Sequence, residues 1–423
     1  MENIKEQLIN YRRMLHQIPE AGYLEMLTTI QLIKEVRKLG FTDIRYGKEI
    51  HKNRIGLPND EKIKARAEMI EYQENFDVSE IKEGYTGLIV DYDTKKPGPK
   101  IAFRFEIDGL LIEETEDPSH IPNKENFKSK FKETMHACGH DGHMAIGLGL
   151  AKYIIQNKDL SGSYRIIFQP AEEGVHGAKS LLEAGAVDGV DYLFGLHIGM
   201  RTPTGTIGVG TRKFLATKKF DIDLKGKASH AGIFPERGKN ALLGAASLSL
   251  ILHSELQNSK GMTRLNVGLL NAGSERNIVP GFAHLELEIR GENDDIVSDL
   301  EKKVRNSTQG ISLAYDLEYD IKLMGSSITF DTKNEDFRDH LNAYLEKDFK
   351  TKLAPAMNAS EDICYLLAAI EENGGKALHF ILGSDTAASH HNNAFDIDEE
   401  SLYIGYQMFV KTIDFILKEE NKN

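Results

Sequence analysis

The chain has 423 residues, of which 40% are hydrophobic and 28% charged, and its formal net charge is −13. That acidic balance excludes the basic stripe that nucleic-acid phosphates require. The length exceeds what one hydrophobic core holds, so two domains are expected, and two cysteines alone, Cys138 and Cys364, exclude a disulfide scaffold and point to a reducing compartment.

The N-terminal residues show no basic stretch followed by an apolar core. No run of about 18 apolar residues occurs, so a cytoplasmic protein without a membrane span is expected. Residues 3–17 and 25–39 read as helices; in the first, Ile4, Leu8, Tyr11 and Leu15 recur at helical spacing. Residues 51–82 are strongly charged and read as a peripheral insertion with a surface helix from Asp60 to Phe76. Gly87–Tyr92 and Lys100–Ile107 are rich in β-branched and aromatic residues and read as strands. Asp108 stands at the end of the second, where open α/β sheets build their sites.

The polar loop Pro118–Thr134 leads into Met135-His-Ala-Cys-Gly-His-Asp-Gly-His143. Cys138 and His140 are too close to share one helix face, but a tight turn at Gly139 would aim both into one cavity. Met144–Ile155 reads as a helix, which places the cluster at or just before an N-terminus whose partial positive charge favours a thiolate. No second Cys or His pair follows at finger-like spacing, so the stretch reads as half of a metal site whose other donors lie elsewhere. Ser163–Phe168 reads as a buried strand ending in Gln169-Pro-Ala-Glu-Glu-Gly174, with the adjacent carboxylates Glu172 and Glu173. Lys179–Ala184 reads as a helix, and Tyr192–Leu196 as a strand ending at His197.

The pattern changes near Gly210. Strands are expected at Lys218–Leu224, Thr263–Leu270, His284–Ile289 and Ala314–Leu323, with helices at Lys239–Leu256 and Asp294–Arg305. That order is the β-α-β-β-α-β split unit of ferredoxin-like folds. The remainder holds helices near 335–347 and 361–371, a strand at Leu378–Leu382, a tip with His390 and His391, and a helix over Ser401–Leu417. The expected class is α/β. A mostly parallel central sheet flanked by helices, from 1–212 and 329–423, is interrupted by an α+β domain at 213–328.

Strand tips therefore carry Asp108, Cys138, His140, Glu172, Glu173, His197 and one of His390 or His391. Thiolate and imidazole mixed with carboxylate suit Zn²⁺, Mn²⁺ or Co²⁺ rather than Ca²⁺ or Mg²⁺. The donors are too many for one ion and suit two, about 3.5–4 Å apart, that acidify a shared water and polarise a carbonyl. Amide hydrolysis also needs a proton shuttle, and adjacent glutamates can divide the work, one binding metal and one moving the proton.

His136-Ala-Cys-Gly-His-Asp-Gly-His143, Gln169-Pro-Ala-Glu-Glu-Gly174 and Gly195-Leu-His-Ile-Gly199 resemble the amidohydrolase branch of the di-metal aminoacylase/carboxypeptidase family. The likeness runs from Arg12-Arg13 to the C-terminal helix. It implies that Cys138 bridges two ions, that His140 and His197 complete one, and that Glu173 and His391, four residues before Phe395, complete the other. It implies Glu172 as general base and Asp108 as a support behind the ligands. Glu106 and Gly109 depart from the family's Asp-x-Asp-Ala-Leu, so shifted packing is expected there. Ser229-His-Ala-Gly232 with Pro235 resembles a lid motif whose histidine, His230, reaches a partner's site and helps hold the oxyanion. Asn277 and Arg290 resemble residues that hold the substrate carboxylate, a task that suits the guanidinium fork.

The implied reaction is metal-dependent cleavage of an N-acyl or N-aroyl amino acid, with Mn or Zn as the ions. Gly56-Leu-Pro58, His143-Met-Ala-Ile-Gly-Leu-Gly-Leu-Ala151, Ser360-Glu-Asp362 and His390-His-Asn392 before Phe395-Asp-Ile-Asp-Glu399 narrow the likeness to members acting on p-aminobenzoyl-glutamate. The alternatives are another substrate, of the hippurate or N-acetyl-diaminopimelate type, and a non-catalytic metal-binding subunit. The lid implies a homodimer, or a heterodimer with a homologous subunit.

Overall fold

A computed structural model describes residues 3–70, 75–254 and 256–420. The chain forms two compact units, one of Met1–Arg212, Phe330–Met357 and Asp362–Asn423, the other of Lys213–Thr329 and Asn358–Glu361. The sequence reading left Thr329 and Asn358–Glu361 with the larger domain. Backbone pairing moves the latter: Asn358 N–H donates to Lys213 O at 3.1 Å and Leu215 N–H to Ala359 O at 3.0 Å.

In chain order the strands are β1 (Asp43–Tyr46), β2 (Leu88–Asp93), β3 (Lys100–Glu106), β4 (Ser163–Gln169), β5 (Tyr192–Ile198) and β6 (Thr206–Val209). The smaller unit adds β7 (Ala216–Lys225), β8 (Ser229–His230), β9 (Thr263–Ala272), β10 (Ile278–Val279), β11 (Phe282–Gly291) and β12 (Glu318–Ser327). β13 (Lys350–Leu353) and β14 (Lys376–Leu382) return to the larger unit.

The large sheet has the order β1-β2-β4-β3-β5-β14-β6-β13. Its centre, β4-β3-β5-β14, is parallel throughout, and antiparallel pairs occur towards the edges. The central strands are buried along almost their whole length, as parallel strands covered on both faces must be. Helices Ile4–His16, His140–Gln156 and Glu400–Glu420 pack on one another. The glycines of the His143–Ala151 stretch make this possible: a Cβ on Gly147 would lie 2.8 Å from ring atoms of Phe105 and Phe168, and one on Gly149 would lie 2.5 Å from Leu8 Cδ2. The helix is thereby clasped between the sheet and the N-terminal helix.

The expected Met144–Ile155 helix begins four residues earlier, at His140. The expected Asp60–Phe76 helix spans Asp60–Glu68, and residues 71–74 lie outside the described residues. The short strands β1, β6 and β13 had no counterpart in the sequence reading, because four residues carry too little alternation to register. Among the described residues no helix is long and apolar enough to cross a membrane.

In the smaller unit, β12-β7-β11-β9 form an antiparallel sheet backed by helices Ala241–Ser254 and Asp294–Ala314. The second helix outruns its expected end at Arg305, and β12 starts at Glu318 instead of Ala314. The buried stripe continues through small polar residues, Thr308 and Ser312, which hydropathy does not count. Thr308 bonds its hydroxyl back to Val304 O at 2.8 Å, so it can be buried in mid-helix. β8 and β10 form a separate two-stranded ribbon.

Candidate metal centre

Because β4, β3, β5 and β14 are parallel neighbours, their C-terminal ends share one edge of the sheet. Asp108 follows β3, Glu172 and Glu173 follow β4, His197 is the next-to-last residue of β5, and the His390-His391 pair follows β14. Gly139, at φ +84°, turns the chain into the helix that His140 opens. These residues, far apart in sequence, gather at that edge.

Cys138 Sγ lies 3.4 Å from His197 Nε2. His140 Nε2 is 4.0 Å from Glu172 Oε2 and 3.9 Å from Glu173 Oε1. His391 Nε2 is 3.4 Å from Glu173 Oε2. Cys138, His140 and Glu173 each bring a donor atom within 4.8 Å of the other two. His140 Nε2 is buried and makes no hydrogen bond among the described residues. Leaving such an atom unpaired costs about 1–3 kcal/mol, and a cation between these donors would satisfy it. On this test the residues fit a divalent ion.

The hydrogen bonds fix which nitrogen of each imidazole can ligate. His140 Nδ1 donates to Asp108 O at 2.9 Å, with Asp108 Oδ1 at 3.3 Å, so its lone pair is on Nε2. His197 Nδ1 donates to Ile198 O at 2.9 Å, which leaves Nε2 facing Cys138. A ligating histidine held in this way by a carbonyl is the usual arrangement. His143 differs. Its Nε2 accepts from Ile198 N–H at 3.0 Å, so Nδ1 carries the proton and donates to Glu106 Oε2 at 2.8 Å. Both nitrogens are used. Glu106, His140 and His143 also converge closely enough to suggest an ion, but the bonds of His143 and the ion pair of Glu106 with Arg104 argue that they hold none.

Charge follows the same logic. Burial opposes charge on His140, but its bond with Asp108 and the carboxylates of Glu106 and Glu173 outweigh it and push its pKa up to about 10. Burial holds the Glu173 carboxyl up, against the pull of His140. Burial and nearby His143 keep His197 well below the usual imidazole range. The acidic groups draw a proton to the spot where an ion would bring its own charge.

Glu106 closes a buried chain behind the site. Arg104 pairs with it, and Arg104 Nε donates to Gln169 Oε1 at 2.7 Å while its Nη2 donates to Asp362 Oδ1 at 2.8 Å. Gln169 Nε2 donates to the same Asp362 oxygen at 2.8 Å. Glu106 thus bonds His143, a contact that the sequence reading, which expected only shifted packing at this departure, did not name. The second departure has a steric reason: a Cβ on Gly109 would lie 3.0 Å from Pro19 Cβ and 3.1 Å from Met135 O.

Several supports escaped the sequence reading. Buried Arg12 donates through Nε to Asp141 Oδ2 at 2.8 Å and through Nη1 to Glu399 Oε1 at 3.2 Å, and it pairs with Asp396. It ties the N-terminal helix to the segments carrying His140 and His391. His16 Nδ1 is 2.7 Å from Asp141 Oδ2, and its Nε2 is 3.1 Å from Glu114 Oε1. The signal was present: Arg12 and His16 stand four apart within a helix whose other buried residues are Leu8, Tyr11 and Leu15. Glu25 is less legible. Its Oε1 accepts from Ala171 N–H at 2.7 Å, one residue before Glu172, and Ala171 holds φ +57°.

In the smaller unit, exposed His230 accepts at Nδ1 from Gly232 N–H at 3.1 Å and Ile233 N–H at 3.2 Å, so its proton is on Nε2. Asn277 adjoins it, since Ala231 N–H donates to Asn277 O at 2.9 Å. Arg290 is not brought to them. It stands near the far end of β11, roughly 26 Å along the strand from Phe282 at about 3.3 Å per residue. Its Nε and Nη2 bond both oxygens of Glu288, at 3.0 and 2.9 Å.

Residues 102–414 match the model of peptidase family M20/M25/M40. A Haemophilus influenzae homolog of a p-aminobenzoyl-glutamate hydrolase subunit is 40% identical over 97% of this chain and 98% of its own. The aminobenzoyl-glutamate utilization protein of Klebsiella pneumoniae superposes with a TM-score of 0.80 at 31% identity, covering 96% of this chain and 95% of its own. A dinuclear metal-binding peptidase of the M20 family from Bacillus subtilis gives 0.67 at 26% identity, over 98% and 99%. With a family match over most of its length and a relative this similar end to end, the chain belongs to peptidase family M20/M25/M40.

Proposed function

We propose that the protein is a di-metal amidohydrolase that cleaves p-aminobenzoyl-glutamate to p-aminobenzoate and glutamate. The observation that carries the reaction class is the convergence of Cys138, His140 and Glu173 around the unpaired His140 Nε2, with Glu172 at its side. The substrate rests on the named activity of the Haemophilus relative and on the Klebsiella structure. When bound, two divalent ions, Mn or Zn, supply the Lewis acidity that polarises an amide carbonyl and makes a water acidic.

In this reading Cys138, His140, His197, Glu173 and His391 hold the ions. Glu172 takes the proton of the attacking water and delivers it to the leaving nitrogen. The Asp108 carbonyl fixes the His140 tautomer, and Asp108 Oδ2 accepts from Glu173 N–H at 2.9 Å, so one residue orients a ligand and steadies the Glu173 backbone. His230 contributes its Nε2 proton to the oxyanion, and Asn277 binds substrate beside it. Arg290 would serve the carboxylate only by leaving Glu288. Its distance along β11 from Phe282, the end of that strand nearer Asn277 in the chain, suits a lid whose two ends serve different active sites of a dimer.

The lid surface supports a partner. Helix Ala241–Ser254 leaves Leu242, Leu243 and Leu250 exposed, Leu250 at 76%, and β9 is an edge strand with Leu270 exposed. Apolar residues on one exposed helix and an open strand edge suit pairing with a second lid of the same fold. The Haemophilus relative is named as a homolog of one subunit of a p-aminobenzoyl-glutamate hydrolase, which favours a homologous chain in that place. A cytoplasmic setting fits two buried cysteines that form no disulfide.

The test is release of p-aminobenzoate by the purified, chelator-treated protein after Mn²⁺ or Zn²⁺ is returned. Restored turnover is the expected result. Cleavage of hippurate or an N-acetyl amino acid in its place would discard the substrate and keep the mechanism. Ion binding without any turnover would favour a metal-binding subunit that needs its partner.

A further inference from the structure

His390 and His391 reach different donor sets. His391 Nε2 faces Glu173 Oε2 at 3.4 Å. His390 instead joins Cys138 and His197, the three bringing donor atoms within 4.8 Å of one another. We propose that the adjacent histidines divide between the two ions, His390 binding the ion held by Cys138 and His197, and His391 the ion held by Glu173. The inference rests on the di-metal reading above and adds a ligand to it.

The hydrogen bonds mark His390 as they mark the other ligands. Its Nε2 is 3.1 Å from Ile198 O, and a carbonyl can only accept, so Nε2 carries the proton. The lone pair of the neutral ring is left on Nδ1, which makes no hydrogen bond among the described residues. His197 Nδ1 donates to that same Ile198 carbonyl. One backbone oxygen therefore sets the tautomer of two histidines, the support expected of paired ligands. His143, with both nitrogens bonded, shows what a purely structural imidazole looks like in this cluster.

The ring is also firmly seated. Its centroid lies 4.8 Å from that of Phe395 and 5.4 Å from that of His197. A Cβ on Gly199 would come within 2.9 Å of His390 Cε1, so the glycine after Ile198 leaves just enough room. His391 takes φ +62°, and its N–H donates to Ala137 O at 2.9 Å, next to Cys138. That left-handed turn lets consecutive side chains address two places around one thiolate.

The test is stepwise Co²⁺ titration of the chelator-treated full chain, with ions counted per chain after desalting and the cobalt absorption followed at each step. Wild type is expected to bind two ions. His390→Phe keeps a ring against Phe395 and removes the donor. It should weaken one binding step by more than about tenfold and leave the other unchanged. His391→Phe should weaken the other step, and His390→Asp, which returns a donor oxygen, should recover the first. Circular dichroism confirms that each variant is folded. Two ions bound by His390→Phe with wild-type affinity would overturn the inference, as would both variants weakening the same step or a folded His390→Asp that recovers nothing. Fewer than two ions on wild type would instead sink the di-metal reading, and this inference with it.

Discussion

Glu172 and Glu173 are chemically identical in sequence, and only their neighbours give them different work. Glu173 meets His391 at 3.4 Å and His140 at 3.9 Å, whereas Glu172 comes to 4.0 Å from His140. Glu172→Gln is expected to retain both ions and lose about 10²–10⁴-fold in turnover, read by metal content and product release together. Retained hydrolysis would remove Glu172 as the base. His16 offers a separate test, of stability. Burial opposes its charge, but bonds to Asp141 and Glu114 outweigh it and push its pKa from 6.5 up to about 9. A raised pKa stabilises fully below 6.5, and the contribution is lost as pH rises through 9. The melting temperature should therefore fall across that window, and His16→Gln should flatten the fall. Glu114 runs the other way: despite burial, His120 and His16 draw it down to about 2, so its contribution is present above 4.5 and lost as pH falls through 2. The candidate donors were legible because cysteine, histidine and paired glutamates are rare at strand tips. Glu25 and Asp362 were not, because a carboxylate that bonds a distant backbone N–H or glutamine looks like any other carboxylate.

At the scale of the element, one turn decides the site. Gly139 lies at φ +84°, and a Cβ there would stand 2.4 Å from Ile198 Cγ2. Gly139→Ala is expected to cost about 1–2 kcal/mol for the left-handed backbone and more for the collision, and to weaken metal binding, since Cys138 and His140 flank it. Gly205, at φ +86° with no heavy atom within 4 Å of a built Cβ, is the control. Gly205→Ala should show the backbone cost in a thermal melt and leave metal affinity unchanged. Equal metal loss in both would show that the turn does not place the ligands. Long, strongly patterned elements were readable. The true end of helix Asp294–Ala314 was not, because its last buried positions are Thr308 and Ser312.

At the scale of the molecule, the exposed leucines of Ala241–Ser254 predict association. Leu250→Glu should shift the protein towards the monomer in sedimentation and reduce turnover, because His230 is proposed to act in the partner's site. A variant that sediments as wild type would place the contact elsewhere. Metal removal should lower the melting temperature, since an ion at 100 times its Kd stabilises by about 2.7 kcal/mol, and returning Mn²⁺ or Zn²⁺ should restore it. The sequence by itself determined the class of fold, the inserted split β-α-β unit and most of the candidate donors, because hydrophobic period and rare ligand residues are local properties of the chain. Only the tertiary structure decided how the donors group. Each assignment depends on which nitrogen of an imidazole a backbone carbonyl or N–H engages, as Ile198 does for His143, His197 and His390. No spacing along the chain encodes that choice, because the bond comes from the next residue for His197, from one 55 positions on for His143 and from one 192 positions back for His390.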